Sequence, residues 1–183
     1  MLALIQRLPA PLISSGEVAI DLALIRALDD AALSALATRL GWLLREAENG
    51  MTLIKGSHRV DVRRGQFASV LQSADLVISM AGTATEQAVG LGIPVLQMAG
   101  HGPQFTTGFA EAQRRLLGPA VHCAAGEVDD PATLKASAAL LQKLLALPIK
   151  ALELYRTEGL QRLGASGGTG RMAQAILDSV RPH

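Results

Sequence analysis

Two short stretches hold the residue types best suited to gripping an anion: Gly82-Thr83-Ala84-Thr85 and Gly100-His101-Gly102-Pro103. Both belong to residues 79–105, SMAGTATEQAVGLGIPVLQMAGHGPQF, and stand one strand–helix–strand unit apart. A chain entering a helix at Gly82-Thr83 presents free backbone N–H groups and the positive end of the helix dipole. Gly82 lets the backbone approach closely, and the Thr83 and Thr85 hydroxyls can donate, so the set could cradle a diphosphate. The competing reading is structural: Thr83 caps its helix, and Gly100, Gly102 and Pro103 make a tight turn. Both readings remain open at this level.

The surrounding segments decide where such loops would lie. Residues 75–80 (DLVISM) and 93–98 (IPVLQM) read as buried strands without alternation, as in a parallel sheet covered on both faces, and residues 83–91 between them read as a helix. Ligands bind outside the carboxyl ends of such strands, the edge that carries both loops. Upstream, Val18, Ile20, Leu22 and Leu24 alternate as in a strand. Asp29 or Asp30 can cap a helix with Leu33, Leu36 and Leu40 on one face and Gly41 at its end. Residues 42–46 and 51–56 are short strands joined at Asn49-Gly50, and 65–73 form a short helix carrying Phe67, Val70 and Leu71 inward. Residues 106–117 give a helix and 119–124 a strand. After Asp130-Pro131, a cap with proline at the first helical position, everything is helical: a helix with Leu134, Leu141 and Leu145, another over 150–163, a Gly-rich linker, and a last helix marked by Met172, Ile176 and Val180.

The expected fold is therefore α/β, a doubly wound parallel sheet with a helical C-terminal tail: residues 1–129 form a Rossmann-like domain and 130–183 are helices packing on it. The opening residues, MLALIQRLPAPLISSG, lack the buried strand and Gly loop with which such domains begin, so the first strand is expected to be missing or supplied from elsewhere.

Composition narrows the function classes. A 183-residue chain of 49% hydrophobic and 3% aromatic content must pack its core with Leu, Ala, Val and Ile. A net charge of +1 argues against a nucleic-acid surface, and the Arg63-Arg64 and Arg114-Arg115 pairs read as solvated faces. Cys123 is the sole cysteine, which fits a reducing cytoplasm and sits in a strand-like context unsuited to a nucleophile. There is no signal-peptide pattern and no transmembrane segment. Histidines 58, 101, 122 and 183 are scattered, so no metal site and no cofactor is expected, and neither GxGxxG, GxxxxGK[ST] nor GxSxG occurs.

Residues 74–121, ADLVISMAGTATEQAVGLGIPVLQMAGHGPQFTTGFAEAQRRLLGPAV, resemble the C-terminal, donor-binding half of GT-B glycosyltransferases, in particular the family related to lipid-A-disaccharide synthase. The likeness extends to Gly41-Trp42, to GQFASVL and to RLGASGGTGRMA. It implies a UDP-sugar donor, of the UDP-N-acetylglucosamine type, with Gly82, Thr83 and Thr85 at the diphosphate, Gln104 (beside Gly102) at the donor sugar, and Gly65, Gln66 and Phe67 lining the base pocket. The ribose-binding acid of similar enzymes falls on Gln87, with Glu86 adjacent; either the Gln carbonyl or Glu86 takes that role.

The same resemblance implies an N-terminal acceptor domain, to which nothing here corresponds, so the catalytic residues are expected on that missing domain or on a second chain. The complete enzyme would transfer a hexosamine-type sugar to an acceptor that the resemblance leaves open, a lipid-linked one among the options, in the cytoplasm or at the inner face of the membrane. Two alternatives stand beside this one: an inactive remnant or interaction module, dimeric through an unpaired sheet edge, and a UDP-sugar epimerase-like domain.

Overall fold

The computed structural model describes every residue except 10, 11, 13–15, 26, 99, 102–105, 125 and 181–183. In chain order the elements are α1 (Leu2–Ile5), β1 (Asp21–Leu24), α2 (Asp30–Arg39), β2 (Leu43–Ala47), β3 (Gly50–Lys55), β4 (His58–Arg64), α3 (Phe67–Ser73), β5 (Val77–Ile78), α4 (Gly82–Gly90), β6 (Val95–Gln97), α5 (Thr107–Leu117), β7 (Val121–Cys123), α6 (Pro131–Leu145), α7 (Ile149–Leu163) and α8 (Gly168–Val180).

The α/β class is as expected, but the strands form two sheets. One is mixed, in the order β1-β4-β3-β2; the other is parallel, in the order β5-β6-β7. The mixed sheet arises from β4, a strand absent from the sequence reading. Two-residue connections at Glu48-Asn49 and Gly56-Ser57 join β2 to β3 and β3 to β4, and connections that short only allow antiparallel pairing. β1 then pairs parallel to β4, Asp21 opposite Asp61 through Leu24 opposite Arg64.

On β4, Val60 and Val62 point into a core with Trp42, Leu53, Leu33 and Ala37, while Arg59, Asp61 and Arg63 line the other face. There Arg63 meets Asp21 at 2.7 Å and Arg59 meets Asp61 at 2.9 Å. Burial pushes the Asp61 carboxyl up, but hydrogen bonds from Thr52 and Arg59 outweigh it and hold the group below its usual range. The arginine pairs form ion pairs at the surface: Arg64 holds Asp30, and Arg114 and Arg115 both hold Glu111.

The parallel sheet is covered on both faces. Val95 and Val121 face a cluster with Ala88, Val89, Leu117 and Tyr155, from α4, α5 and α7. Leu96 faces the opposite cluster, with Leu141 and Leu144 of α6 and Leu4 of α1. The next residue of α1, Ile5, belongs to the core of the mixed sheet, so this single turn wedges between the two sheets. Leu4 and Ile5 are 0% and 2% exposed, and burying each such side chain contributes about 1.5–3 kcal/mol. His58 secures the segment: its Nε2 donates to Leu8 O at 3.1 Å, a carbonyl that can only accept.

Helix starts follow the caps. Asp29 accepts from Ala32 N, and Asp130 accepts from Ala132 N and Thr133 N, with Pro131 at the first helical position. Two inward faces differ from expectation. In α2 the buried residues are Leu33 and Ala37, whereas Leu36 and Leu40 are about half exposed; in α3 only Leu71 is buried, and Phe67 lies at the surface. The last helix forms over Gly168–Val180, yet none of its residues is buried. Among the described residues no single helix is long and apolar enough to cross a membrane.

Helix α7 lies against α4 at backbone distance. A Cβ on Gly159 would stand 2.1 Å from Val89 O, and one on Gly92, where φ is +75°, would stand 2.6 Å from Arg156 Cα. In an open helix interior, Gly→Ala gains about 1 kcal/mol. Gly159→Ala is expected to reverse that sign and lose about 1–3 kcal/mol through overpacking, read as a lower urea midpoint. One turn earlier on α7, Tyr155 Oη lies 3.1 Å from His122 Nε2 on β7. Burial holds His122 below its ordinary 6.5, so the unfolded chain binds more protons as pH falls through that value. Stability is therefore expected to drop between pH 7.5 and pH 5, and His122→Gln to flatten part of that drop in urea titrations at the two pH values.

Candidate functional site

The site is built where β5 turns into α4. Val77 and Ile78 pair with Val95 and Leu96, and Ser79 N continues the ladder to Leu96 O at 3.1 Å. Ser79 then closes the turn: its Oγ donates to Ala81 O and accepts from Ala81 N, both at 3.1 Å. The helix begins at Gly82 with Ala81 as its cap residue, which brings no side-chain acceptor. Thr85 N bonds to Ala81 O, so the N–H groups of Gly82, Thr83 and Ala84 have no acceptor among the described residues. This is an uncapped helix start at the carboxyl end of a parallel strand. The capping role weighed for Thr83 does not occur.

The expected site residues separate by location. Thr83, Glu86 and Gln87 are exposed on α4, and Gly82 is half-buried. Thr85 is 0% exposed and turns inward; its hydroxyl donates to Ala81 O at 2.8 Å and accepts from Gln97 Nε2 at 3.1 Å. A donor bound to its own helix cannot also reach a phosphate, so Thr85 is a structural link in place of the ligand contact expected for it. Gly65, Gln66 and Phe67 stand at the end of β4 and the start of α3, with Gly65 at φ +66° and the Phe67 ring 41% exposed. No hydrogen bond joins this group to the Gly82 turn among the described residues. Gly102 and Gln104 lie outside the described residues. His101, on the same loop, meets Asp129 Oδ2 at 2.8 Å, and both side chains are exposed.

Behind the helix start lies a group the sequence reading missed. Gln97, the last residue of β6, donates through Nε2 to Thr85 and also to Gln113 Oε1 of α5, leaving its own Oε1 buried without a partner. Gln97 and Gln113 are 3% and 7% exposed. The available signal was two glutamines inside otherwise apolar patterns, IPVLQM and FAEAQRRLLG. Gly82 touches this group, because a Cβ there would lie 3.1 Å from Gln113 Nε2 and 3.9 Å from Phe109 Cζ. The glycine thus serves helix–helix packing as well as an open surface.

The same helix carries Glu111 on its outer side, where hydrogen bonds from Arg114 and Arg115 lower its carboxyl to about 2. Among the described residues no group of three or more His, Cys, Asp and Glu is placed to hold a metal ion. At the Gly82 turn the described residues present neutral donors: the N–H groups of Gly82, Thr83 and Ala84 and the exposed Thr83 hydroxyl. Comparison of the chain with protein-family models, curated proteins and solved structures gives no match.

Thr85→Val keeps the shape and removes the hydroxyl, which strands one buried N–H of Gln97. The expected outcome is a loss of about 1–3 kcal/mol in urea unfolding, beyond what an isosteric change in an apolar site would give.

Proposed function

We propose that this chain binds a nucleotide sugar, holding its diphosphate at the start of α4, as the donor-binding half of a GT-B glycosyltransferase related to lipid-A-disaccharide synthase. The observation that carries this reading is the uncapped first turn of α4 at the carboxyl end of β5, where the N–H groups of Gly82, Thr83 and Ala84 have no acceptor among the described residues. Anions bind at such helix starts through directed N–H groups and the dipole. The exposed Thr83 hydroxyl adds a donor beside them, and Glu86 and Gln87 lie farther along the same helix, where a ribose would follow the phosphates. The surface-lying Phe67 ring offers a face to a base.

In this reading the domain stabilises the departing diphosphate as the bond from the anomeric carbon to its phosphate oxygen breaks, an electrostatic contribution. An acceptor hydroxyl attacks that carbon and gives its proton to a base on an acceptor domain or a second chain. A second reading, an association module, is favoured by α8, which exposes Met172, Ile176, Leu177 and Val180 and buries nothing.

Calorimetric titration with UDP, UDP-N-acetylglucosamine and ADP separates the two. Donor binding predicts heat with both uridine ligands and at least tenfold weaker binding of ADP. It also predicts loss of uridine-ligand affinity in Thr83→Ala and, more severely, in Gly82→Val. A folded chain that binds none of the three rules out the donor reading and leaves the association module.

A further inference from the structure

We propose that Gln113 is a phosphate-binding residue, its Nε2 donating to the same anion as the N–H groups of Gly82, Thr83 and Ala84. The inference rests on the anion site at α4 and adds a side chain that the sequence reading did not place there. It follows from the direction of a buried hydrogen-bond chain. The Thr85 hydroxyl has a single proton, which it gives to Ala81 O at 2.8 Å. Toward Gln97 it can therefore only accept, and this fixes Gln97 with Nε2 facing Thr85. The second proton of that Nε2 goes to Gln113, which must answer with its carbonyl Oε1. With its oxygen committed to Gln97, Gln113 turns Nε2 toward Gly82, 3.1 Å from where a Cβ would sit.

Gln113 is 7% exposed, and its Nε2 has no acceptor among the described residues. The nitrogen itself is not sealed from solvent, so a donor of an otherwise buried side chain opens beside Gly82. An oxyanion at the first turn of α4 would give it an acceptor. The relay also sets the sign of the site, because Gln113 presents a donor and not an acceptor. Four donors thus gather at the start of α4: three backbone N–H groups and one amide. Glycine at position 82 leaves the space between them open.

The ligand chemistry is a phosphate oxygen, supplied either by a nucleoside diphosphate or by free diphosphate. The test is calorimetric titration of the full chain and its variants with UDP and with pyrophosphate. Gln113→Met removes the donor at similar volume; Gln113→Glu still offers an oxygen to Gln97 but sets a negative oxygen against the anion. Losing one hydrogen bond to a charged acceptor is expected to weaken UDP and pyrophosphate alike by about 10- to 100-fold in Gln113→Met. Gln113→Glu should lose more, and regain affinity as lower pH protonates its carboxyl and restores a donor. A purely structural role would not produce that recovery.

Tighter binding of UDP than of pyrophosphate identifies the nucleoside diphosphate as the source; equal binding identifies the free diphosphate. Urea midpoints check the fold, and if Gln113→Met does not fold, the pH response of Gln113→Glu decides alone. Wild-type affinity in the Gln113 variants, alongside weakened Thr83→Ala, overturns the role of Gln113 and leaves the anion site standing. A folded wild-type chain that binds neither ligand overturns both.

Discussion

The carbonyl of Val89 against Gly159 fixes the position of α4, and much of the remaining architecture follows from it. A three-stranded parallel sheet is too narrow to stand without cover on both faces, and α4 supplies part of that cover through Ala88 and Val89. Because α7 approaches to backbone distance at Gly159, and again where Gly92 meets Arg156, α4 has little freedom to slide or roll. Arg162 of α7 also donates to the free carbonyls of Arg115 and Leu116, closing the C-terminal end of α5. One helix therefore clamps both neighbours. That clamp determines where the first turn of α4 points, even though no residue of α7 has a part in the candidate site.

A second constraint is polar and works from beneath. The strand β6 ends in a glutamine only 3% exposed, in a chain whose buried residues are mostly Leu, Val and Ala. Burying an amide is tolerable only when its protons are used, and Gln97 spends both of them, on α4 and on α5. To the packing at Gly159 a chain of donors and acceptors adds a directional constraint between those helices. The relay has a direction because Thr85 can give its proton only once. That makes Ala81 O the origin of an ordering that ends at the amide beside Gly82.

The sequence made most of the second half of the fold legible, since its signals are local. Asp130-Pro131 announces α6, Pro148 separates α6 from α7, and the apolar runs around residues 77 and 95 announce buried strands whose helix between them is set by Gly82 and Gly92. The first half was less legible. β4 reads as charged, with Arg59, Asp61, Arg63 and Arg64 around two valines, and its outer face is acceptable only because Asp21 and Thr52 come from other strands to meet it. Partners distant in sequence leave no local trace. The site divides in the same way. Gly82 and Thr83 at a helix start were visible from residue types, but whether Thr85 faces solvent or Gln97 depends on helix rotation, and that is decided by Gly159, 74 residues on.

Charge has little to add at this site, and that bears on what it would select. The chain carries a net charge of +1, and Arg63, Arg64, Arg114, Arg115 and Arg162 are each held by a carboxylate. Long-range attraction of a polyanion is accordingly weak. What the start of α4 offers is short-range and directional: backbone N–H groups in fixed orientation, with an amide ordered behind them. Donors of that kind distinguish ligands by where the oxygens sit more than by total charge. If the start of α4 holds an anion, as proposed, a phosphate group offers its oxygens at the spacing such donors require.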